Sequence, residues 1–193
     1  MNPAAPVTTT FKGRSILSSS AVGRFESWLD GNGLGIAVRQ FPQGTRTAPD
    51  AARAVGCEVG QIVKSLVFMA GGRPVVALVS GGNRLDESRL AAVAGEPVTK
   101  ADAEVARTAT GYAIGGVPPF GHATEVPVYM DRDLLAFPVV WAAAGRPDSV
   151  FEIDPARLRE LSRAEVADLK VLAGSDPPTP APDGAGPPHE VGR

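Results

Sequence analysis

A single lysine, Lys64, interrupts an apolar run: Gln61-Ile62-Val63-Lys64-Ser65-Leu66-Val67-Phe68. Side chains alternate faces along a strand, so Lys64 shares a face with Ile62, Leu66 and Phe68. A cation on such an inward face is costly unless it is paired or lines a wet pocket. The other reading is an edge strand whose lysine stem snorkels to water. Ser65 falls on the opposite face, where packing is its simplest role. About fifty residues on stands a second anomaly, Gly111-Tyr112-Ala113-Ile114-Gly115-Gly116-Val117-Pro118-Pro119-Phe120-Gly121-His122. Its glycines and prolines fit neither a helix nor a strand interior, although such residues also punctuate ordinary turns. A strand cation and a rigid Gly/Pro loop together describe a binding pocket.

Other chemistries are poorly served. With Cys57 as the one cysteine and only two histidines, His122 and His189, a disulfide within the chain is impossible and a Cys/His zinc centre finds too few ligands. The nearest approach to a nucleophile elbow is Val79-Ser80-Gly81-Gly82, which lacks the first glycine of G-x-S-x-G. No G-x-x-x-x-G-K-[ST] phosphate loop is present. Cys57 has nothing beside it that marks an activated thiol. Asp131 and Asp133 either cap the turn that follows them or face the pocket mouth, and capping is the simpler reading.

The elements that must position these residues follow from patterning. Ser18-Ser19-Ser20 offers caps for a helix with Val22, Phe25, Trp28 and Leu29 on one face. A strand is expected over Leu34 to Phe41, and Thr47 caps a short helix with Pro49 in its first turn. The lysine strand, about Ile62 to Ala70, turns at Gly71-Gly72 into a return strand from Pro74 to Ser80. Short helices are expected at Asp86 to Ala94 and Ala101 to Thr108. Beyond the Gly/Pro loop the pattern gives strands at Val126 to Met130, Val139 to Ala144 and Ser149 to Ile153. A turn or short helix at Asp131 to Ala136 separates the first two, and a helix capped by Asp154 closes the series. Strands interleaved with short helices and hairpins, without a regular βαβ repeat, read as a mixed-sheet α/β or α+β domain.

The chain has 193 residues, one domain's worth with tails, and a body of that size buries enough surface to fold without a metal or disulfide. Residues 1–17 are expected to be a flexible segment, 18–170 the folded domain and 171–193 a disordered Pro/Gly-rich tail. His189 sits in that tail and is given no catalytic role. No secretory signal or membrane span is evident, so a cytoplasmic protein without membrane contact is the simplest reading. A net charge of -2 argues against coating DNA or other long duplex, which needs many phosphate contacts, but permits touching one RNA end. Through Arg73 there are eight basic and four acidic residues, so the basic character is concentrated early; ordinary surface variation is the plainer explanation.

The lysine strand, the preceding Thr47–Gly60 segment, the hairpin, the Gly/Pro loop and the segments Val126–Leu135 and Val139–Gly145 stand in an order that resembles the YbaK/prolyl-tRNA-synthetase-associated (ProX-like) editing family. The resemblance covers roughly residues 20 to 165. It implies a compact, mixed and partly barrel-like sheet surrounded by helices. The implied activity is metal-independent hydrolysis of the ester of mischarged aminoacyl-tRNA, with no cofactor. It places Lys64 at the family's characteristic lysine and Gly115, Gly116, Val117, Pro118 and Pro119 at its G-x-x-x-P loop. An aminoacyl ester is already activated, so the site need only hold the carbonyl, stabilise its oxyanion and position a water. Lys64, Gly115 and Gly116 are then the catalytic candidates, Lys64 as an anchor in preference to a base. Val117, Pro118, Pro119, His122, Ser65, Ser80 and Gly81 are candidates for substrate binding, with His122 equally able to orient the loop or cap a turn. The implied partners are the acceptor end of a mischarged tRNA and prolyl-tRNA synthetase. The competing reading is a non-catalytic module of the same fold that binds the tRNA end or a synthetase.

Overall fold

The computed structural model describes residues 20–41 and 47–172. The expected flexible N-terminal segment 1–17 lies outside that range, as does the expected tail apart from residues 171 and 172. Helix α1 (Ala21–Gly31) starts at Ser20, whose Oγ accepts from Gly23 N–H at 3.1 Å, and helix α2 (Ala48–Val55) starts at Thr47, whose Oγ1 accepts from Asp50 N–H at 3.2 Å. Between them runs strand β1 (Val38–Gln40). A 3₁₀ turn at Val59–Gln61 leads into β2 (Val63–Ala70), which returns as β3 (Arg73–Ser80). The turn between these strands needs glycine: Gly71 and Gly72 have φ of 53° and 81°, the pair of positive values that matches strand twist.

Helix α3 (Glu87–Ala94), strand β4 (Val98–Lys100) and helix α4 (Ala103–Thr110) precede the Gly/Pro loop. After it come β5 (Val128–Asp131), a 3₁₀ turn at Arg132–Ala136, β6 (Val140–Ala143), β7 (Ser149–Ile153), α5 (Pro155–Ser162) and β8 (Glu165–Ala167). The five-stranded sheet has order β4-β2-β3-β5-β8, antiparallel through β4, β2 and β3 and parallel from β3 through β5 to β8. A smaller antiparallel sheet has order β1-β7-β6. The two meet at one parallel bridge, Ile62 to Trp141, so the mixed sheet curves toward a barrel without closing into one.

Both faces of β2 and β3 are covered. Val63, Val67, Val76 and Leu78 join the main core, where α1 contributes Phe25 and Leu29. Phe25 packs against Phe120 and Phe151, with ring centroids 5.7 and 5.3 Å away, and Trp28 packs tilted against Phe120 at 5.3 Å. The Gly/Pro loop is thereby tied by Phe120 to the centre of the protein. The opposite face, with Phe68, Ala70, Val75, Ala77 and Val79, packs beneath Leu90 of α3. Lys64 stands at the open end of that second apolar face.

Three elements differ from expectation. The strand expected over Leu34 to Phe41 is limited to Val38–Gln40, because Leu34 N–H turns back to Leu29 O at 3.0 Å as part of the helix exit. Strands β4 and β8 were not expected. Each is three residues long, too short for alternation to register, and each forms by adding to an edge supplied by tertiary structure. No helix among the described residues is long and apolar enough to cross a membrane.

Candidate functional site

Strand β4 pairs with β2 only at Phe68–Ala70, leaving the Val63–Leu66 edge of β2 without a ladder partner on that side among the described residues. A cavity of about 280 Å³ occupies the gap between this edge, β6, the start of α2 and the Gly/Pro loop. Its walls include Lys64, Ser65, Gly115, Val117, Trp141 and Val150. Two groups placed together by the sequence, the strand cation and the Gly/Pro loop, therefore do line one space. Ile114, 53% exposed, stands at its rim. Among the lining residues Lys64 alone is ionisable. A larger depression of about 350 Å³ over α5, edged by Arg159 and Arg163, is far more open and gathers none of the candidate residues.

Ladder register decides which backbone groups face the cavity. Gly81 N–H donates to Ile62 O at 2.6 Å, and the register continues as Lys64 to Val79 and Leu66 to Ala77. In an antiparallel pair alternate residues turn both backbone groups to the same neighbour. Lys64 and Leu66 therefore bond to β3, while the peptide groups of Ser65 turn outward to the gap. The Ser65 hydroxyl is buried and has no hydrogen-bond partner among the described residues. Such a group destabilises the unliganded protein, and it lies in the wall of a cavity that a ligand can fill.

The Gly/Pro loop is shaped by contacts a side chain would block. Gly115 has φ 87°, in the left-handed region. Gly116 N–H donates to Ala113 O at 2.9 Å and its carbonyl accepts from Gly145 N–H at 2.9 Å. The N–H groups of Gly115 and Val117 take no backbone acceptor among the described residues. Gly116, expected to be catalytic, does not line the cavity, nor do Pro118, Pro119 and His122. His122 instead braces the loop: its Nε2–H donates to Pro118 O at 2.7 Å, which fixes the neutral tautomer. Burial lowers its pKa below the ordinary histidine value, partly offset by that hydrogen bond.

Ser80 and Gly81 also lie outside the cavity lining. Ser80 is 3% exposed; its Oγ donates to Gly60 O at 2.7 Å and its N–H to Asp131 Oδ2 at 3.2 Å. A Cβ on Gly81 would fall 2.2 Å from Val59 O, so glycine lets the 3₁₀ turn pack there. These two residues hold β2 and β3 to the segment that precedes them.

Sequence reading missed Asn83. The Lys64 ammonium donates to the Asn83 carbonyl oxygen, and the Asn83 side-chain amide donates to Asp131 Oδ2 at 2.7 Å and Asp133 Oδ2 at 2.9 Å. Asp131 is only 1% exposed, and its Oδ1 accepts from Asp133 N–H at 3.3 Å. That bond is the cap expected of Asp131, but the other oxygen reaches across to β3 and Asn83. Lys170 closes the cluster by donating to Asp133 Oδ2 at 2.6 Å. Hydrogen bonds from Lys170 and Asn83 hold the Asp133 pKa below the ordinary aspartate value. Burial lowers the Lys64 pKa, and the nearby Asp131 carboxylate opposes that shift. A buried aspartate ending an apolar strand is the same kind of anomaly as Lys64, and that signal was available in the sequence.

A profile of the family described as the aminoacyl-tRNA editing domain matches residues 42–161. The uncharacterised protein YwhH of Bacillus subtilis is 32% identical over 130 residues, which is 67% of this chain and 83% of that one. EbsC of Enterococcus faecalis, proposed as a Cys-tRNA(Pro)/Cys-tRNA(Cys) deacylase, is 28% identical over 125 residues, 64% of this chain and 76% of its own. The crystal structure of a protein proposed as a trans-editing enzyme for prolyl tRNA synthetase superposes with a TM-score of 0.76 and 49% identity, covering 79% of this chain and 98% of that one.

Proposed function

The chain belongs to the aminoacyl-tRNA editing domain family, and on that premise we propose that it is a trans-acting deacylase that hydrolyses the ester of mischarged tRNA. The proposed substrate is tRNA(Pro) carrying a small amino acid, and prolyl-tRNA synthetase is the proposed functional partner. The observation that carries this reading is the cavity shared by Lys64, the unpartnered Ser65 hydroxyl and Gly115. Its volume of about 280 Å³ falls just below the roughly 300–1,000 Å³ of pockets for drug-sized ligands. That favours a short side chain.

The roles follow from what each group can offer. An ammonium carries three donors, and Asn83 O takes one, leaving two for the phosphate or ester end of the substrate. The outward peptide carbonyl of Ser65 suits the substrate's α-amino group, and its hydroxyl a polar atom of the amino acid. The N–H groups of Gly115 and Val117 are available to the carbonyl oxygen as it becomes an oxyanion. Water oxygen bonds to the ester carbon, and the bond from that carbon to the ribose oxygen breaks. One water proton ends on the departing ribose oxygen, giving free amino acid and a tRNA hydroxyl. Since Lys64 is the one ionisable residue in the wall among the described residues, the neighbouring ribose hydroxyl is the proposed carrier of that proton.

A panel of mischarged tRNAs, with free aminoacyl esters alongside, tests this reading. Hydrolysis of small mischarged aminoacyl-tRNAs that collapses in Lys64→Ala supports it. Full activity in Lys64→Ala overturns the site, and binding of the tRNA end without turnover on any substrate replaces the enzyme with a binding module.

A further inference from the structure

We infer that Asn83 and Asp131 are positioning residues for Lys64, holding its ammonium charged and aimed without neutralising it. This rests on the reading of Lys64 as the substrate's anchor. The geometry has two parts. Both N–H groups of the Asn83 amide are committed to carboxylates, at 2.7 Å to Asp131 and 2.9 Å to Asp133, which fixes the residue whose carbonyl receives Lys64. Asp131, in turn, is locked by Ser80 N–H at 3.2 Å and Asp133 N–H at 3.3 Å, and is almost fully buried.

The arrangement differs from an ion pair in a way that matters for binding. No carboxylate among the described residues lies within 4.0 Å of Lys64 Nζ; Asp133 is taken by Lys170 at 2.6 Å instead. A direct salt bridge would neutralise the ammonium and occupy its donors. A neutral carbonyl takes one donor, and the Asp131 charge acts through space to favour the protonated form. Asp131 at the end of β5 is the charged group that acts on Lys64; Asp133, in the turn after it, and Lys170, after β8, belong to the same cluster through Asn83. Asp168, paired with Arg132 at 3.1 Å, lies beyond Lys170. On the cavity side no other ionisable residue is present among the described residues. Two lysines thus bracket two aspartates, and only Lys64 reaches the cavity.

The test measures the titration of Lys64 itself, by competitive amine labelling across pH with mass-spectrometric readout, in the full-length chain. Asp131→Asn keeps an oxygen for Ser80 N–H but removes the charge, and the Lys64 midpoint should fall by about one pH unit or more. Asn83→Ala keeps the main-chain oxygen that receives Lys64 but removes the amide bonds that hold it to Asp131 and Asp133. Lys64 should label faster and kcat/KM on the preferred mischarged tRNA should fall by about 10–100-fold, the scale of a lost hydrogen bond to a carboxylate. The alkaline limb of the Asp131→Asn rate profile should move to lower pH with the labelling midpoint. If Asp131→Asn does not fold, Asp133→Asn at the half-exposed edge carries the test, with a smaller fall of the same sign. A Lys64 midpoint that stays put in the folded variants overturns the inference and makes the cluster purely structural. Labelling needs no substrate, so this outcome is separate from a failure of the deacylase reading, which the substrate panel reports.

Discussion

Gly145 donates its N–H to Gly116 O at 2.9 Å, and the two glycines occupy places where side chains would strike backbone. A Cβ on Gly116 would lie 2.7 Å from both Gly145 O and Arg146 Cα, and one on Gly145 would lie 2.6 Å from Ala21 O. The first turn of α1, the β6–β7 turn and the Gly/Pro loop are therefore stacked backbone on backbone. Gly116→Ala must push these layers apart. The expected cost is about 1–3 kcal/mol, or roughly 2–4 °C of Tm for each kcal/mol in a chain of this size. Deacylation should fall further than stability, since the neighbouring N–H groups of Gly115 and Val117 move with the loop. Thermal melts paired with single-turnover kinetics check this, and an unchanged Tm would show that the loop yields without strain.

Ser65 makes a prediction of the opposite sign for stability. Its buried hydroxyl has no partner, and an unsatisfied buried polar group costs about 1–3 kcal/mol. Ser65→Ala should therefore leave the unliganded protein as stable or up to about 1 kcal/mol more stable, while kcat/KM on the preferred substrate drops. A chemical denaturation curve and the substrate panel read the two effects separately. Loss of stability without loss of activity would return Ser65 to a packing role.

Much of this was legible in the chain because anomalies are local. A lysine in an apolar strand and a Gly/Pro-rich loop announce themselves, and capped helices such as α1, α2 and α5 were bounded by Ser20, Thr47 and Asp154. What stayed hidden depends on tertiary structure. Strands β4 and β8 exist only because an edge is there to receive them. Asn83 gains its place through carboxylates about fifty residues away in the chain. Ser80 and Gly81 looked like pocket residues beside the lysine strand, yet the register turns them toward Gly60 and Val59. Likewise the division of labour in the Gly/Pro loop, with Gly115 and Val117 at the cavity and His122 bracing from behind, depends on φ values and hydrogen bonds that composition does not encode.

His122 should make the protein acid-sensitive. Its pKa in the fold is lowered by burial, so between that value and the ordinary 6.5 the unfolded chain binds more protons than the native one. Stability is then fully present above about pH 6.5 and is lost as pH falls through the lowered pKa. His122→Gln retains an N–H for Pro118 but does not titrate. Unfolding free energies measured from pH 7.5 to 5 should fall less steeply in that variant, and parallel curves would rule the histidine out as the sensor.

Lys64 carries the same sign at alkaline pH. Burial lowers its pKa from the usual 10.5 despite Asp131, so its charged form costs the native state stability at neutral pH. That cost is relieved as pH rises from the lowered value toward 10.5. Lys64→Met should accordingly be more stable than wild type at pH 7, with the difference shrinking toward pH 10.5, while deacylation is lost throughout. A variant less stable at pH 7 would mean that the Asn83 hydrogen bond outweighs desolvation.

Val150 offers a test of how the cavity selects. It lines the cavity from β7 and is 6% exposed. Val150→Ala removes two methyl-sized groups, at a stability cost of about 1.6 kcal/mol if each contributes ~0.8. The enlarged cavity should admit an amino acid one or two methylenes longer. Steric exclusion of this kind is worth about 1–3 kcal/mol, or roughly 10–200-fold in relative kcat/KM. The ratio of rates on a larger to a smaller aminoacyl-tRNA should rise in that range, mostly through gain on the larger substrate. Equal losses on both would show that Val150 supports the fold without gating the substrate, and would move the search for the selective wall to Trp141 and the Gly/Pro loop.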